Sequence, residues 1–285
     1  MDDEVFDFGL DAGESFIPDD DEFVDRGQPH IMTVLGPIDP GSLGPVNLAA
    51  SFVPRRADAN LGSILTEIQE AAVVGLNALV DLRPISSEME ARAALWLAER
   101  CDIHLVVATG IDPDAGIAGN TRRLIDQAAT GMFHTRVSPG VIVGRPEKQS
   151  IDAAMSGREA TGLPAIIDAR SSGPPPDLPV FELPMARMAS ASFAPDSWHG
   201  LFDLSDGVNP DLIAKLKQSV DDFQVLVGYD PDSNRPDRFS RWSWLIEEFP
   251  IELLEAGLDP AQVRSLLVDA PAAFLTIEQP APPRC

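Results

Sequence analysis

The stretch "NALVDLRPISSEMEARAALWLAERCDIHLVVATG" (residues 77–110) decides the fold. Residues 77–83 and 103–110 are continuous apolar runs rich in Val, Leu and Ile, which is typical of strands buried on both faces in a parallel sheet. Residues 86–101 open with serines and carry acids in the first turn, as the start of a helix prefers. Together these features predict a strand–helix–strand unit with a parallel sheet.

The same alternation continues along the chain. Further strands are predicted in "PVNLAASF" (45–52), "PGVIVGR" (139–145), "LPAIIDAR" (163–170), "LPVFELP" (178–184), "HGLFDLS" (199–205) and "FQVLVGYD" (223–230). Helical patterns lie between them, in residues 61–75, 118–131, 149–162 and 209–220. About eight strands with crossovers predict an α/β fold of the (β/α)8 TIM-barrel type. A doubly wound open sheet is the alternative, although no Gly-rich phosphate loop follows the first strand to support it.

One side of the predicted barrel has too few residues for full crossover helices. "SSGPPPDLP" (171–179) cannot lie inside a helix, because successive prolines remove hydrogen-bond donors and clash with the preceding turn. "MASASFAPDSW" (188–198) is also too short for a full crossover helix. We therefore expect shortened crossovers between strands 5 and 7.

Charge and composition limit the possible partners. The net charge of -24 argues against nucleic acid and anionic membranes, both of which favour a basic protein surface. The two cysteines make no disulfide or zinc framework, and no basic, apolar signal opens the chain, so a cytoplasmic location is expected. Residues 30–276 are predicted to form the barrel domain, and residues 277–285 a Pro-rich C-terminal tail.

Residues 1–29 are expected to form an acidic, disordered tail. Residues 1–25 contain eleven acidic side chains and no Lys or Arg, a composition that cannot bury much apolar surface. Four phenylalanines are interleaved with these acids, so an arm that docks on a neighbouring subunit is the alternative.

Several segments resemble the phosphotriesterase family of the amidohydrolase superfamily. They are "IMTVLGPIDPGSLG" (31–44), "GLNALVDLRPI" (75–85), "GMFHTRVSPGVIVGRP" (131–146), "FQVLVGYD" (223–230) and "FPIELLEAGLDPAQVRSLLVDAPAAFL" (249–275). The resemblance implies a metal-dependent hydrolase barrel with two metal ions at its C-terminal mouth. The implied ligands are a His-x-His on strand one, a carbamylated Lys or Glu on strand four, a His on strands five and six, and an Asp on strand eight. The metals would hold a hydroxide that attacks a phosphoester, lactone or ester.

This chain departs from that ligand set at almost every position. The family's first-strand ligands fall on Ala49, Ala50 and Ser51. The bridging residue falls on Val143, the strand-five His on Asp168, and the strand-six His near Glu182 or Leu183. Only Asp230 keeps its family identity. The chain's histidines lie elsewhere and form no metal-binding spacing, at positions 30, 104, 134 and 199. We therefore expect no binuclear metal site and no cofactor, and a site for a hard ion on Asp168, Glu182 and Asp230 is the alternative.

Charged residues follow most of the predicted strands, and in a parallel barrel the strand ends meet at the functional face. The candidate catalytic residues are Asp230, Asp168 and Arg170, and the candidate binding residues are Glu182, Arg83, Arg145 and Asp203. This ring could hold a small anionic or lactone-like molecule, with an Asp as general base and an Arg as anion clamp. It could equally be a salt-bridge network that fills the place of the metals.

Three functions remain open from the sequence. The first is a pseudoenzyme that binds a small molecule or a partner. The second is a metal-independent lyase, isomerase or cyclase that uses an Asp/Arg pocket, and the third is a lactone or ester hydrolase with a rebuilt metal site. The resemblance also suggests a homodimer.

Overall fold

The computed structural model describes residues 28–168, 185–189, 199–204, 210–219, 225–229 and 242–278. The predicted N-terminal tail, apart from its last two residues, and the predicted strand 178–184 lie outside these residues. So do residues 279–285 of the predicted C-terminal tail.

The strands are β1 (His30–Thr33), β2 (Gly36–Ile38), β3 (Val46–Asn47), β4 (Ala78–Pro84), β5 (His104–Gly110), β6 (Val141–Gly144), β7 (Ala165–Asp168), β8 (Met185–Ala189), β9 (His199–Asp203), β10 (Val225–Gly228) and β11 (Thr276–Ile277). The α-helices are α1 (Leu61–Val73), α2 (Glu88–Ala98), α3 (Gly116–Thr130), α4 (Lys148–Thr161), α5 (Pro210–Ser219), α6 (Trp244–Glu247), α7 (Phe249–Glu255), α8 (Pro260–Arg264) and α9 (Ala270–Leu275). A 3-10 turn at Pro40–Ser42 follows β2, and a π-helical stretch at Ser265–Asp269 joins α8 to α9. None of the helices within the described ranges is both long and apolar enough to cross a membrane.

The main sheet has eight strands in the order β10-β9-β8-β7-β6-β5-β4-β3. Strands β3 to β7 run parallel and form a curled half-barrel, and β9 and β10 are parallel to each other. Strand β8 departs from the predicted all-parallel pattern, because it runs antiparallel to both β7 and β9. Antiparallel neighbours need no crossover helix, which fits the short, Pro-rich sequence around β8.

Helix ends follow the sequence closely. Asn60 caps α1 by accepting a hydrogen bond from the Ser63 N–H, and Ser87 caps α2 in the same way. Helix α4 ends at Thr161 because Gly162 takes a left-handed φ of 75°, and the predicted helical range also ended at residue 162. Pro210 is the first residue of α5, a position at which proline is favoured.

The inner face of the main sheet is apolar. One cluster contains side chains from β3, β4, β5, β6, β7, β9 and β10, among them Val46, Val80, Val106, Val141, Ile166, Leu201 and Leu226. Ile31 of β1 and Phe274 of α9 belong to the same cluster, so the small β11-β1-β2 sheet and the last helix cover one end of it. Alternate residues of the same strands, such as Leu79 and Val107, pack outward with α1 and α2.

The two edges of the main sheet meet through one side chain. The Asn47 amide of β3 donates to the Tyr229 carbonyl at 2.8 Å and accepts from the Tyr229 N–H at 2.9 Å. Asn47 is fully buried, so this pair replaces backbone pairing between β3 and the end of β10. Gly228 permits the approach, since a Cβ there would lie 2.5 Å from the Ala49 Cβ.

Candidate functional site

At the C-terminal ends of the parallel strands, the inner face remains apolar. Leu82 of β4 and Val143 of β6 are each 8% exposed and belong to the inner cluster, and Ala49 packs against that cluster. The family resemblance would place metal ligands at Val143, Ala49 and Ser51. The side chains of Val143 and Ala49 carry no lone pair, so these three positions offer a metal only the Ser51 hydroxyl.

Asp168 is a polar residue that the described strands bring to this inner face. It ends β7 one step beyond Ile167, and by the two-residue period it shares the face of Ile166, which lies in the inner cluster. Its side chain is half-buried and has an interaction partner. Asp168 therefore lies at the C-terminal end of the inner face, and its role in a site stays a prediction.

The structure describes only some of the other predicted site residues. Arg145 follows β6 with an exposed side chain, and its N–H donates to the Ser150 hydroxyl. Asp203 ends β9 opposite Gly228, and its side chain is not described. The candidates Arg170, Glu182 and Asp230 lie outside the described residues. Within the described ranges, no three His, Cys, Asp or Glu side chains come together in a metal-binding group.

Arg83 lies on the outer face of the sheet, opposite the inner face to which Asp168 belongs. It forms a two-pronged pair with Asp81 of the same strand, with Nε–Oδ1 at 3.0 Å and Nη2–Oδ2 at 2.9 Å. The Arg83 Nη2 also donates to the Val53 carbonyl, and the Val53 N–H donates to Asp81. Asp81 is completely buried, so Arg83 neutralises a carboxylate that would otherwise be very costly to bury.

A second ion pair holds the loop after β3. The Arg55 Nη1 lies 2.7 Å from the Glu90 carboxylate and also donates to the Pro84 carbonyl. Glu90 is 5% exposed and accepts from both the N–H and the hydroxyl of Ser86. Loop, strand end and helix α2 are therefore tied together on the outer side of the sheet.

These groups border an open cleft of about 600 Å³ at the outer side of the strand ends. Its walls come from the loop after β3, the first turns of α1, the end of β4 and Trp242. The lining residues are Ser51, Val53, Pro54, Arg55, Arg56, Ala59, Asn60, Ser63, Ile64, Glu67, Arg83 and Trp242. This volume lies in the range of sites that hold small molecules.

A third polar cluster lies at the end of β5 and has a structural role. The Thr109 hydroxyl donates to Gln127 of α3, and the Arg123 guanidinium donates to the Gly110 carbonyl and to Asn120. Burial lowers the pKa of Arg123, and the nearby charge of Asp112 acts in the opposite direction. Its Nη1 and Nη2 groups donate to neighbouring backbone, hydroxyl and amide oxygens, so this arginine fastens α3 to the strand end, while its buried Nε has no partner among the described residues.

Sequence reasoning overlooked Asp81, Arg55 and Arg56. A carboxylate inside the apolar run "ALVDLRP", two residues before an arginine, was an available signal. Residues two apart on a strand share a face, so this spacing predicts a pair. The cleft itself had no local signal, because its described walls come from three separate segments, residues 51–67, Arg83 and Trp242.

Known structures with this fold include a lactonase from Listeria monocytogenes, with a TM-score of 0.66 and 14% identity over 88% of this chain and 100% of that chain. An amidohydrolase from Mycoplasma synoviae matches with a TM-score of 0.64 and 12% identity, over 90% of this chain and 94% of that chain. No protein-family model matches the sequence, and comparison with curated proteins gives no match. At these identities the likeness shows the fold alone. The chain has an amidohydrolase-like α/β fold.

Proposed function

We propose that this chain is a phosphotriesterase-like barrel protein that has lost its binuclear metal site and acts as a pseudoenzyme. In this proposal it binds a small anionic or lactone-like molecule at the mouth of the strands and does not hydrolyse it. The lactonase and the amidohydrolase of the same fold support a hydrolase-like ancestry. Fold by itself does not determine activity, so the proposal depends on the site.

The apolar inner face at the strand ends is the observation that carries the proposal. Val143 packs in the same cluster as Leu82, and Ala49 packs against it. A metal-bound hydroxide needs several oxygen, nitrogen or sulfur ligands to hold the ion. The side chains at these positions instead supply van der Waals contact, which suits an apolar part of a bound molecule.

The proposed architecture is a barrel closed between β3 and β10. The hydrogen bonds of Asn47 to Tyr229 and the close approach of Gly228 to Ala49 support this closure. A closed barrel gathers the strand ends around one mouth, which would bring Asp168 to the same opening as the ends of β9 and β10.

Metal content and lactone turnover, measured together, test the proposal. The full chain is purified without chelators or added metal, analysed by mass spectrometry, and assayed with a panel of γ- and δ-lactones and phosphotriesters. We expect far less than one metal ion per chain and no turnover above buffer. Stoichiometric metal with chelator-sensitive turnover would contradict the proposal and support a rebuilt hydrolase site.

A matched pair of variants distinguishes a metal-independent enzyme from a pseudoenzyme. Asp168→Asn removes the charge at the mouth, and Asp152→Asn removes an exposed charge from α4 as the control. Turnover that survives chelation and is lost only in Asp168→Asn would replace the pseudoenzyme with an acid–base catalyst. The proposal is supported if turnover stays at the background rate of buffer in both variants and in the unaltered chain.

A further inference from the structure

The outer cleft is not explained by a site at the mouth of the strands. Its residues lie on the face of the sheet opposite the inner cluster, since Arg83 alternates with Leu82 along β4. The cleft is large enough for a small molecule, and its described lining comes from the loop after β3, α1, β4 and Trp242. It therefore presents a second binding surface at the same end of the sheet.

Arginines dominate the charge of this cleft. Among the described residues, Arg55, Arg56 and Arg83 line it together with one carboxylate, Glu67, although the whole chain carries a net charge of -24. Among the described residues Arg56 has no carboxylate partner, and Arg55 uses only its Nη1 in the pair with Glu90. Guanidinium donors that remain available in a cleft can bind an oxyanion through two parallel hydrogen bonds.

The N-terminus of α1 adds to this preference for an anion. Helix α1 has 13 residues, and Asn60 and Ser63 of its first turn line the cleft. The first N–H groups of a helix have no acceptor within the helix, and the helix dipole places partial positive charge there. The arginines and the helix end therefore favour the same kind of ligand from two sides.

The remaining wall is apolar. Val53, Pro54, Ile64 and Trp242 line it, and Trp242 is 3% exposed. The indole N–H of Trp242 is buried and has no acceptor among the described residues. Such a wall suits a flat hydrocarbon or ring beside the anionic group.

We propose that this cleft binds a small organic anion, with a carboxylate on Arg56 and Arg55 and an apolar ring against Trp242 and Ile64. This site is distinct from the mouth of the strands and does not depend on the proposed function. Its ligand class is an amphipathic monocarboxylate, recognised by charge at one end and by shape at the other.

Benzoate is the probe, and benzamide is its neutral counterpart of the same shape. Equilibrium dialysis of labelled probe against the full chain measures affinity, and the tryptophan indole N–H signals in nitrogen-15 NMR report the location. We expect saturable benzoate binding, with benzamide at least about tenfold weaker because it cannot form charge-assisted bonds. The Trp242 indole signal, assigned with Trp242→Phe, should shift in the same concentration range.

Arg56→Gln should weaken benzoate binding at least about fivefold, while Arg122→Gln, an exposed arginine on α3, should leave it unchanged. Arg145→Gln reports on the mouth of the strands and should also leave it unchanged. The proposal is overturned if benzoate does not saturate, if benzamide binds equally well, or if Arg56→Gln binds as tightly as the unaltered chain. It is also overturned if Arg145→Gln alone abolishes binding. Dialysis gives these answers even if Trp242→Phe fails to fold.

Discussion

The two faces of the sheet differ sharply where the parallel strands end. On the inner face, Leu82 and Val143 pack in one apolar cluster, whereas on the outer face Asp81 and Arg83 form a buried ion pair beside a cleft lined by arginines. Strand β4 supplies both arrangements from successive residues. The charged side chains near this end of β4 therefore lie on the outer face of the sheet. A charged residue that follows a strand does not by itself indicate a charged inner face.

The largest expected effect comes from breaking the outer ion pair. Arg83→Met leaves the fully buried Asp81 without its cation, so we expect the free energy of unfolding in urea to fall by about 3 kcal/mol. The double variant Asp81→Leu with Arg83→Met should recover much of this loss, because it removes the unpaired charge. Arg92→Met breaks the exposed pair with Glu88 and should cost well under about 1 kcal/mol. A double variant no more stable than the single one would show that the pair is not what holds the outer face.

The next effect concerns the approach of the two sheet edges. Gly228→Ala would place a methyl group 2.5 Å from the Ala49 Cβ and 2.8 Å from the Ala49 nitrogen, so we expect a loss of about 2 kcal/mol in urea unfolding. Gly119→Ala in α3 is the matched control, since its nearest neighbour lies 3.3 Å away and alanine favours a helix. If both variants are equally stable, the edges of the sheet do not meet as described.

A smaller effect tests the apolar character of the inner face directly. Val143→Thr keeps the shape but adds a hydroxyl where the surrounding cluster is apolar, and should cost about 1.5 kcal/mol of unfolding free energy. Val73→Thr makes the same change at an α1 position that is 86% exposed and should be nearly neutral. Equal effects of the two substitutions would indicate that water reaches the inner face at the strand ends, so that this face is not an apolar cluster.

The smallest effect lies at the opposite end of the sheet, where His104 begins β5. Burial lowers the pKa of His104 below its ordinary value of 6.5. The unfolded chain therefore takes up the proton first as the pH falls, and stability declines below about pH 6.5. His104→Gln should reduce the loss of unfolding free energy between about pH 7 and about pH 5, whereas exposed His134→Asn should not. An unchanged pH profile in His104→Gln would show that this histidine titrates as if exposed.

Much of the fold could be predicted from local sequence. The apolar runs at β4 and β5, the Ser87 start of α2 and the end of α4 before Gly162 lie where the sequence placed them, because each is determined by a few neighbouring residues. Neither the position of β8 at Met185–Ala189 nor its reversed direction was predicted, since the strand expected here was residues 178–184. Strand direction depends on the path of the connections, and a short apolar run looks the same in either direction.

The candidate site was less predictable. Asp168 lies at the inner strand end as expected, and Arg83 lies on the outer face with Asp81. Both follow strands, so position along the chain could not separate them. The face on which a strand-end residue lies follows from counting in steps of two from a neighbour whose burial is known, such as Leu82. That burial is known only from the packed sheet.

The sequence by itself determined that this chain alternates strands and helices and that its strands are buried on both faces. Both follow from residue type and from spacing within one segment, whereas metal-ligand positions at Ala49 and Val143 are only what a family resemblance implies. Only the tertiary structure decided that Asn47 joins the sheet edges at Tyr229 and that Arg55, Arg56 and Arg83 share a cleft with Trp242. Those contacts join segments far apart in the chain, so they exist only once the sheet has curled and the helices have packed on it.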